Sequence, residues 1–263
     1  MAQVTEYKPG TFCWLELATT DSAGAKKFYT ELFGWTAIDS PAGPDMVYTM
    51  LQLDGKNAGA LYQMGEREKG IPPHWSSYVS VANADESAEK AQQLGGKVIM
   101  APFDVMEAGR MAIIQDPTGP IFSLWQPHES IGAQVVNQPG APTWNELATN
   151  DTKAAADFYT GLFGWTTEEM EMATGDGTYT IFKNGDRGAG GMLKITPEMG
   201  PMPPNWVGYF AVADCDASLE KAKSLGANVY VPPTDIPGVG RFAVIGDPQG
   251  AGIAFIKLDN PEL

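Results

Sequence analysis

Residues 14–35, WLELATTDSAGAKKFYTELFGW, return at 144–165 as WNELATNDTKAAADFYTGLFGW. Trp14, Glu16, Asp21, Phe28, Tyr29 and Gly34 recur in register as Trp144, Glu146, Asp151, Phe158, Tyr159 and Gly164. A long repeat is read before any other feature because it sets the architecture. Its period is about half of the 263 residues, too long for a solenoid, so the chain carries two copies of one domain. Within the stretch, alternation predicts a strand with Phe12, Trp14, Glu16 and Ala18 on one face and Cys13, Leu15 and Leu17 on the other. Asp21 or Ser22 then caps a helix in which Ala25, Phe28, Tyr29, Leu32 and Phe33 fall at helical spacing. Gly34 supplies its exit, and Trp35 opens the next strand.

The repeat extends outward on both sides. Tyr48-Thr49 matches Tyr179-Thr180, and Pro-Pro-x-Trp at 72–75 matches 203–206. Gly109-Arg110 matches Gly240-Arg241, and Asp-Pro-x-Gly at 116–119 matches 247–250. Hairpin signals at Asp54-Gly55 and 116–119 predict strand, helix and three strands, performed twice per copy. In the second half of copy one the expected elements are strand Trp75–Val81, helix Asp85–Leu94, and strands Lys97–Pro102, Arg110–Gln115 and Ile121–Gln126. The division is domain 1 over 1–127, a connector over 128–142 whose Val135-Val136 pair packs on the fold, and domain 2 over 143–263.

Hydrophobic residues at 43% suffice for two cores. The net charge of −15 argues against nucleic acid and anionic membrane surfaces, both of which need clustered Lys and Arg. There is no apolar run of membrane-spanning length and no signal layout at the start. Two cysteines at non-equivalent positions suggest no disulfide framework. The expectation is a cytoplasmic protein whose partner is a small molecule, and a homodimer is compatible with modules that complete a cleft across chains.

Asp21 with Phe28 through Trp35, and Asp116-Pro117-Thr118-Gly119, together with their repeats, make the chain resemble the vicinal oxygen chelate superfamily. That superfamily holds glyoxalases, bleomycin-resistance proteins and extradiol dioxygenases. Within it the chain is most similar to tandem-domain actinobacterial proteins labelled glyoxalase-like or hydroxylase. The resemblance implies an α+β fold of two tandem glyoxalase-like domains, each of two βαβββ modules forming a curled sheet around a cleft. Metal-dependent relatives carry a His or Gln seven residues before the helix-opening Asp, a ligand at the start of the fifth strand, and a Glu four residues after the hairpin Gly. Here those positions hold Trp14, Ser76 and Ser123 in copy one, and Trp144, Val207 and Ala254 in copy two. None is a His, Glu or Asp.

Glu16 and Glu146 lie two residues beyond the first of these positions and so share the cleft face. A carboxylate in an aromatic pocket has a raised pKa and is able to act as a base or orient a ligand donor; the competing reading is a structural hydrogen bond, or an ion pair with Arg110 or Arg241. Trp14 and Trp144 are either a stacking wall or cleft-filling core. Tyr78 and Tyr209 offer phenols to a ligand or are half-buried sheet residues. Ser76 and Ser123 make the first cleft the more polar, and so the one expected to work if only one does. Arg110 and Arg241 either clamp an anion or pair with Asp104, Asp116 or their repeats. His74 and His128 are unrepeated, weak signals. Gly59 and Gly190-Gly191 sit mid-strand, where glycine marks a close approach of backbone or ligand. The reading is a small-molecule-binding protein without the family's usual metal ligands, with no cofactor assigned and a divalent metal left open. The alternative is a metal-dependent lyase, isomerase or oxygenase of glyoxalase type whose unusual ligand set includes Glu16 or Glu146.

Overall fold

The computed structural model describes residues 3–43, 46–172 and 177–260. The first half runs β1 (Phe12–Thr19), α1 (Ser22–Phe33), β2 (Thr36–Pro41), β3 (Val47–Leu53), β4 (Lys56–Gln63), β5 (His74–Ser80), α2 (Ala84–Gln93), β6 (Lys97–Val105), β7 (Gly109–Gln115) and β8 (Ile121–Pro127). The second half repeats it as β9 (Pro142–Thr149), α3 (Thr152–Phe163), β10 (Thr166–Glu171), β11 (Thr178–Asn184), β12 (Arg187–Lys194), β13 (Asn205–Ala211), α4 (Cys215–Ser224), β14 (Asn228–Ile236), β15 (Gly240–Gly246) and β16 (Gly252–Leu258). Each half forms one open eight-stranded sheet, ordered β2-β3-β4-β1-β5-β8-β7-β6 and β10-β11-β12-β9-β13-β16-β15-β14. Within a module the first strand pairs parallel to the last, as β1 does with β4, which requires the helical crossover. The two modules of a half join antiparallel through β1 and β5. This is the expected α+β architecture of two curled sheets.

The local signals act where the sequence puts them. The Asp21 side chain accepts from Gly24 N, and Gly34 closes α1 at φ 73°, a left-handed conformation suited to glycine. Three details differ from the sequence expectation. A bulge in β1 between Phe12 and Trp14 turns Phe12 away from the cleft and onto Trp206, with ring centroids 4.9 Å apart. The same bulge lets Cys13 join the cleft-side cluster. α2 starts at Ala84, behind an Asn83 cap, one residue before the expected Asp85, and β6 runs on to Val105 because Phe103 and Asp104 pair with Met111 and Arg110 past two irregularities.

The apolar faces decide how the halves meet. Leu15, Leu17, Phe28 and Leu32 of the first half share one core with Phe210, Leu219 and Phe255 of the second. Val79, Ile114 and Phe122 share the other core with Leu147, Phe158 and Phe182. The helices therefore lie between the two sheets, α1 beside α4 and α2 beside α3. Val135 of the connector is buried in the first core.

Inside these cores the repeated motifs meet crosswise. Trp75 Nε1 donates to Tyr29 OH at 2.9 Å, and Tyr29 OH donates to Asp247 Oδ2 at 2.9 Å. Trp206 Nε1 donates to Tyr159 OH at 2.7 Å, and Tyr159 OH donates to Asp116 Oδ2 at 2.8 Å. The aspartate of each Asp-Pro-x-Gly turn thus receives the tyrosine of the other half. With the helices taken up at the interface, the opposite face of each sheet is left to form a cleft. No helix among the described residues is long and apolar enough to cross a membrane.

Candidate functional site

On the cleft face of the first sheet, β1 presents Trp14 and Glu16, and the antiparallel register sets Tyr78 opposite Trp14 and Ser76 opposite Glu16. The Tyr78 hydroxyl donates to Glu16 Oε1 at 2.7 Å. A second phenol arrives from two strands away. Tyr48 of β3 donates to Glu16 Oε2 at 2.6 Å and accepts from Trp14 Nε1 at 3.1 Å. The second sheet repeats the arrangement. Glu146 accepts from Tyr209 at 2.8 Å and Tyr179 at 2.9 Å, and Trp144 Nε1 donates to Tyr179 OH at 3.1 Å.

Tyr48 and Tyr179 are the site residues that sequence reasoning missed. The signal was the repeated Tyr-Thr pair at 48–49 and 179–180, but only the β3–β4–β1 register shows that the ring reaches Glu16. Small residues between them make the reach feasible: Ala60 lies beside both Met50 and Glu16, and Gly191 lies beside Glu146. A Cβ added at Gly191 would overlap the Tyr179 hydroxyl, ending 1.7 Å from it. The close approach expected at this glycine is therefore made by a side chain of the site itself.

Burial raises the Glu16 and Glu146 carboxyls above the usual range, against the lowering effect of the two tyrosine hydrogen bonds. Burial and then the carboxylate charge push Tyr48, Tyr78 and Tyr209 well up, and Tyr179 shifts up for the same reasons. The phenols stay neutral donors, and the carboxyl is the group that titrates.

The remaining predicted residues divide. Ser123 pairs with Tyr78 across the parallel β5–β8 contact and joins the cleft floor, while Val207 and Ala254 occupy the matching places in the second cleft. Tyr7 and Cys13 pack on the first cleft's cluster with Tyr78, Met111 and Trp125, and the Tyr7 hydroxyl donates to Ala133 O at 2.7 Å. Arg110 and Arg241 are not brought to either cleft. Alternation along β7 sends Arg110 to the helix side with Ala112 and Ile114, where it forks onto Asp85 at 2.7 and 2.9 Å and reaches Asp104 at 2.9 Å. Arg241 forms the same fork with Asp216 and Asp235. Glu16 and Glu146 are accordingly partnered by tyrosine, not by arginine. His74 Nδ1 lies 2.9 Å from Pro72 O. His128 belongs to the connector, its backbone N bonded to Ala108 O. Among the described residues, no three His, Cys, Asp or Glu side chains converge.

Known proteins share this fold. The Glyoxalase/Bleomycin resistance protein/Dioxygenase superfamily model matches residues 11–124 and again 133–255. A Mycobacterium tuberculosis protein named "Putative glyoxylase CFP32" is 44% identical over 259 residues, 98% of each chain. The anthracycline biosynthesis protein DnrV of Streptomyces peucetius is 35% identical over 270 residues, covering 97% of this chain and 96% of that one. Among solved structures, a Mn(II)-bound glyoxalase from Novosphingobium aromaticivorans aligns with a TM-score of 0.65 at 14% identity, over 95% of this chain and 82% of that one. A 2,2',3-trihydroxybiphenyl 1,2-dioxygenase from Sphingomonas wittichii aligns with a TM-score of 0.65 at 13% identity, over 95% and 91%, a likeness of fold. Matched through both of its halves, the chain belongs to the glyoxalase/bleomycin resistance/dioxygenase superfamily.

Proposed function

We propose that this chain is a small-molecule-binding member of its superfamily that holds a planar ligand in each cleft without a divalent metal. The observation that carries the reading is the paired constellation of Trp14, Tyr48, Glu16 and Tyr78 with its copy at Trp144, Tyr179, Glu146 and Tyr209. The indole supplies a stacking surface. Each carboxylate oxygen that accepts one tyrosine keeps acceptor capacity for a hydroxyl or N–H of the ligand. Raised by burial, the carboxyl also takes up a proton more readily than an exposed glutamate and then becomes a donor itself.

The donor set does not fit a divalent metal. Such ions ask for several imidazole, thiolate or carboxylate ligands at once. Glu16 and Glu146 have both oxygens engaged by tyrosine, and although His74 and Glu68 lie within electrostatic reach of Glu16, no three His, Cys, Asp or Glu side chains converge among the described residues. The Streptomyces peucetius relative is named for anthracycline biosynthesis, which agrees with a fused-ring ligand.

Thermal melts test the proposal. A fused-ring aromatic ligand at about 100 times its dissociation constant stabilises by about 2.7 kcal/mol, raising the midpoint by several degrees. That gain should vanish when Glu16→Ala and Glu146→Ala are combined, while Zn²⁺, Ni²⁺, Mn²⁺ and Fe²⁺ leave the midpoint unchanged. A metal-induced rise abolished by either single variant would overturn the proposal in favour of a metal-dependent enzyme.

A further inference from the structure

The two clefts share their central constellation and differ at several positions around it. Residues directly opposite on paired strands share a face, so the pairing register reads out the lining. In the first cleft the floor is hydroxylated. Ser76 lies opposite Glu16, Ser123 beside Tyr78, and Tyr62 beside Tyr48, its hydroxyl donating to Glu68 Oε1 at 2.5 Å. The rim of this cleft is apolar and open. Ile38, opposite Met50, is 48% exposed, while Met100 and Phe103, opposite Ile113 and Met111, are 45% and 38% exposed.

The second cleft has an apolar floor and a mixed rim, on which Met170, opposite Tyr179, is 47% exposed. Val207 and Ala254 replace the serines beside Glu146 and Tyr209, and Leu193 stands where the repeat places Tyr62. The rim position matching Ile38 is Glu168, opposite Ile181 and bridged to Lys183 at 3.0 Å. Thr234, opposite Phe242, replaces Phe103. One further atom points to a ligand. Asn205, in the row of Ala148 where the first cleft has His74, buries its Oδ1 without a hydrogen-bond partner. A buried acceptor left unsatisfied is costly, and a ligand donor would satisfy it.

We propose that the two clefts take different ligands. The first takes a planar aromatic bearing several hydroxyl or carbonyl groups, and the second a planar apolar ring system with a single N–H or O–H donor that reaches Asn205. The inference rests on the proposed function, since it assigns ligand classes to the clefts that reading describes. Ser76, Ser123 and Tyr62 give the first ligand polar partners at depth, with its apolar body under Met100 and Phe103. In the second cleft the same groups on a ligand would lie against Val207, Ala254 and Leu193, whose side chains offer them no hydrogen bond.

Protein labelled with 5-fluorotryptophan reports each cleft separately, because Trp14→Phe and Trp144→Phe identify the two fluorine resonances. Titrated with 2,6-dihydroxynaphthalene, the Trp14 resonance should move at about tenfold lower concentration than that of Trp144, a ratio of about 1.4 kcal/mol. Indole should reverse the order, and Asn205→Leu should weaken its effect on Trp144. Exchanging the floors, with Ser76→Val and Ser123→Ala in one variant and Val207→Ser and Ala254→Ser in another, should shift the preferences toward each other. Unchanged resonances of the buried Trp75 and Trp206 verify that each variant is folded. Equal response of both clefts to both probes, or floor exchange without effect in folded protein, overturns the inference and leaves the binding reading standing. If neither probe moves either resonance, the binding reading falls with it.

Discussion

The interface between the halves and the clefts on their outer faces run the same relay: an indole N–H into a tyrosine oxygen, and that tyrosine's hydroxyl into a carboxylate. At the interface Trp75, Tyr29 and Asp247 form it; in the first cleft Trp14, Tyr48 and Glu16 do. They differ in what else the carboxylate holds. Asp247 Oδ1 also accepts the backbone N–H groups of Gln249 and Ala251, Asp116 Oδ1 those of Thr118 and Gly119, and both aspartates are buried. Glu16 is held by two phenols, one on each oxygen, in a half-buried setting. A buried network with all its members satisfied specifies one arrangement of the chain. One with acceptor capacity left toward an open face is suited to recognition. The same residue types therefore lock the fold in one place and await a partner in the other.

The largest effect should come from breaking the lock. Asp247→Ala strips the acceptor from Tyr29 and two backbone N–H groups inside the core, at a cost of about 3 kcal/mol, lowering the melting midpoint by about 6–12 °C. Glu16→Ala in the cleft should cost much less stability, and comparable losses in calorimetry would erase the distinction.

A smaller change sharpens the difference between the clefts. Gly191→Ala must shift the Tyr179 ring, because the added Cβ would overlap its hydroxyl. It should weaken ligand effects on Trp144 and spare those on Trp14. Tyr48 already keeps its bond to Glu16 over Ala60, so Ala60→Gly should cost about 0.5–1 kcal/mol without loss of binding. Equal ligand response in both clefts of Gly191→Ala would refute this role for the glycine.

The smallest effect is one of pH. Burial raises the Glu146 carboxyl, so the folded chain holds that proton to higher pH than the unfolded chain does. The corresponding stability is complete below the unfolded pKa and is lost as pH rises through the folded one. Glu146→Gln, which never ionises, should therefore melt a few degrees above the parent at pH 8 and match it near pH 4. A gain that grows as pH falls has the wrong sign. The Asp216 carboxyl, lowered by the Arg241 guanidinium, contributes oppositely: its stabilisation is present above the unfolded pKa and lost as pH falls.

Much of this was legible in the sequence because the informative contacts are local or periodic. The repeated stretch gave away two copies, Asp21 and Gly34 the limits of α1, and two-residue alternation the shared face of Trp14 and Glu16. Tyr48 escaped because its link to Glu16 crosses two strand pairings whose register no local pattern shows. The crossed pairing of Tyr29 with Asp247 escaped because a helix motif and a turn motif look self-sufficient when each half is read alone. Phe12 was misplaced by one bulge, since a single extra residue flips the side-chain alternation. Arg110 was read from its neighbouring glycine, when the parity of its strand position decided its side.

That crossed pairing has a consequence for how the protein is made. Tyr29 and the aspartate it bonds are 218 residues apart, and the core around α1 is completed by β15, β16 and α4. At about 5–20 residues per second, synthesis of the intervening chain takes roughly 10–40 s. For that time the apolar face of α1 has been made and its partner surface has not. Much of the protein's exposure to aggregation thus falls before it leaves the ribosome, and a chaperone that shields residues 25–33 during elongation should raise yield more than one added after release.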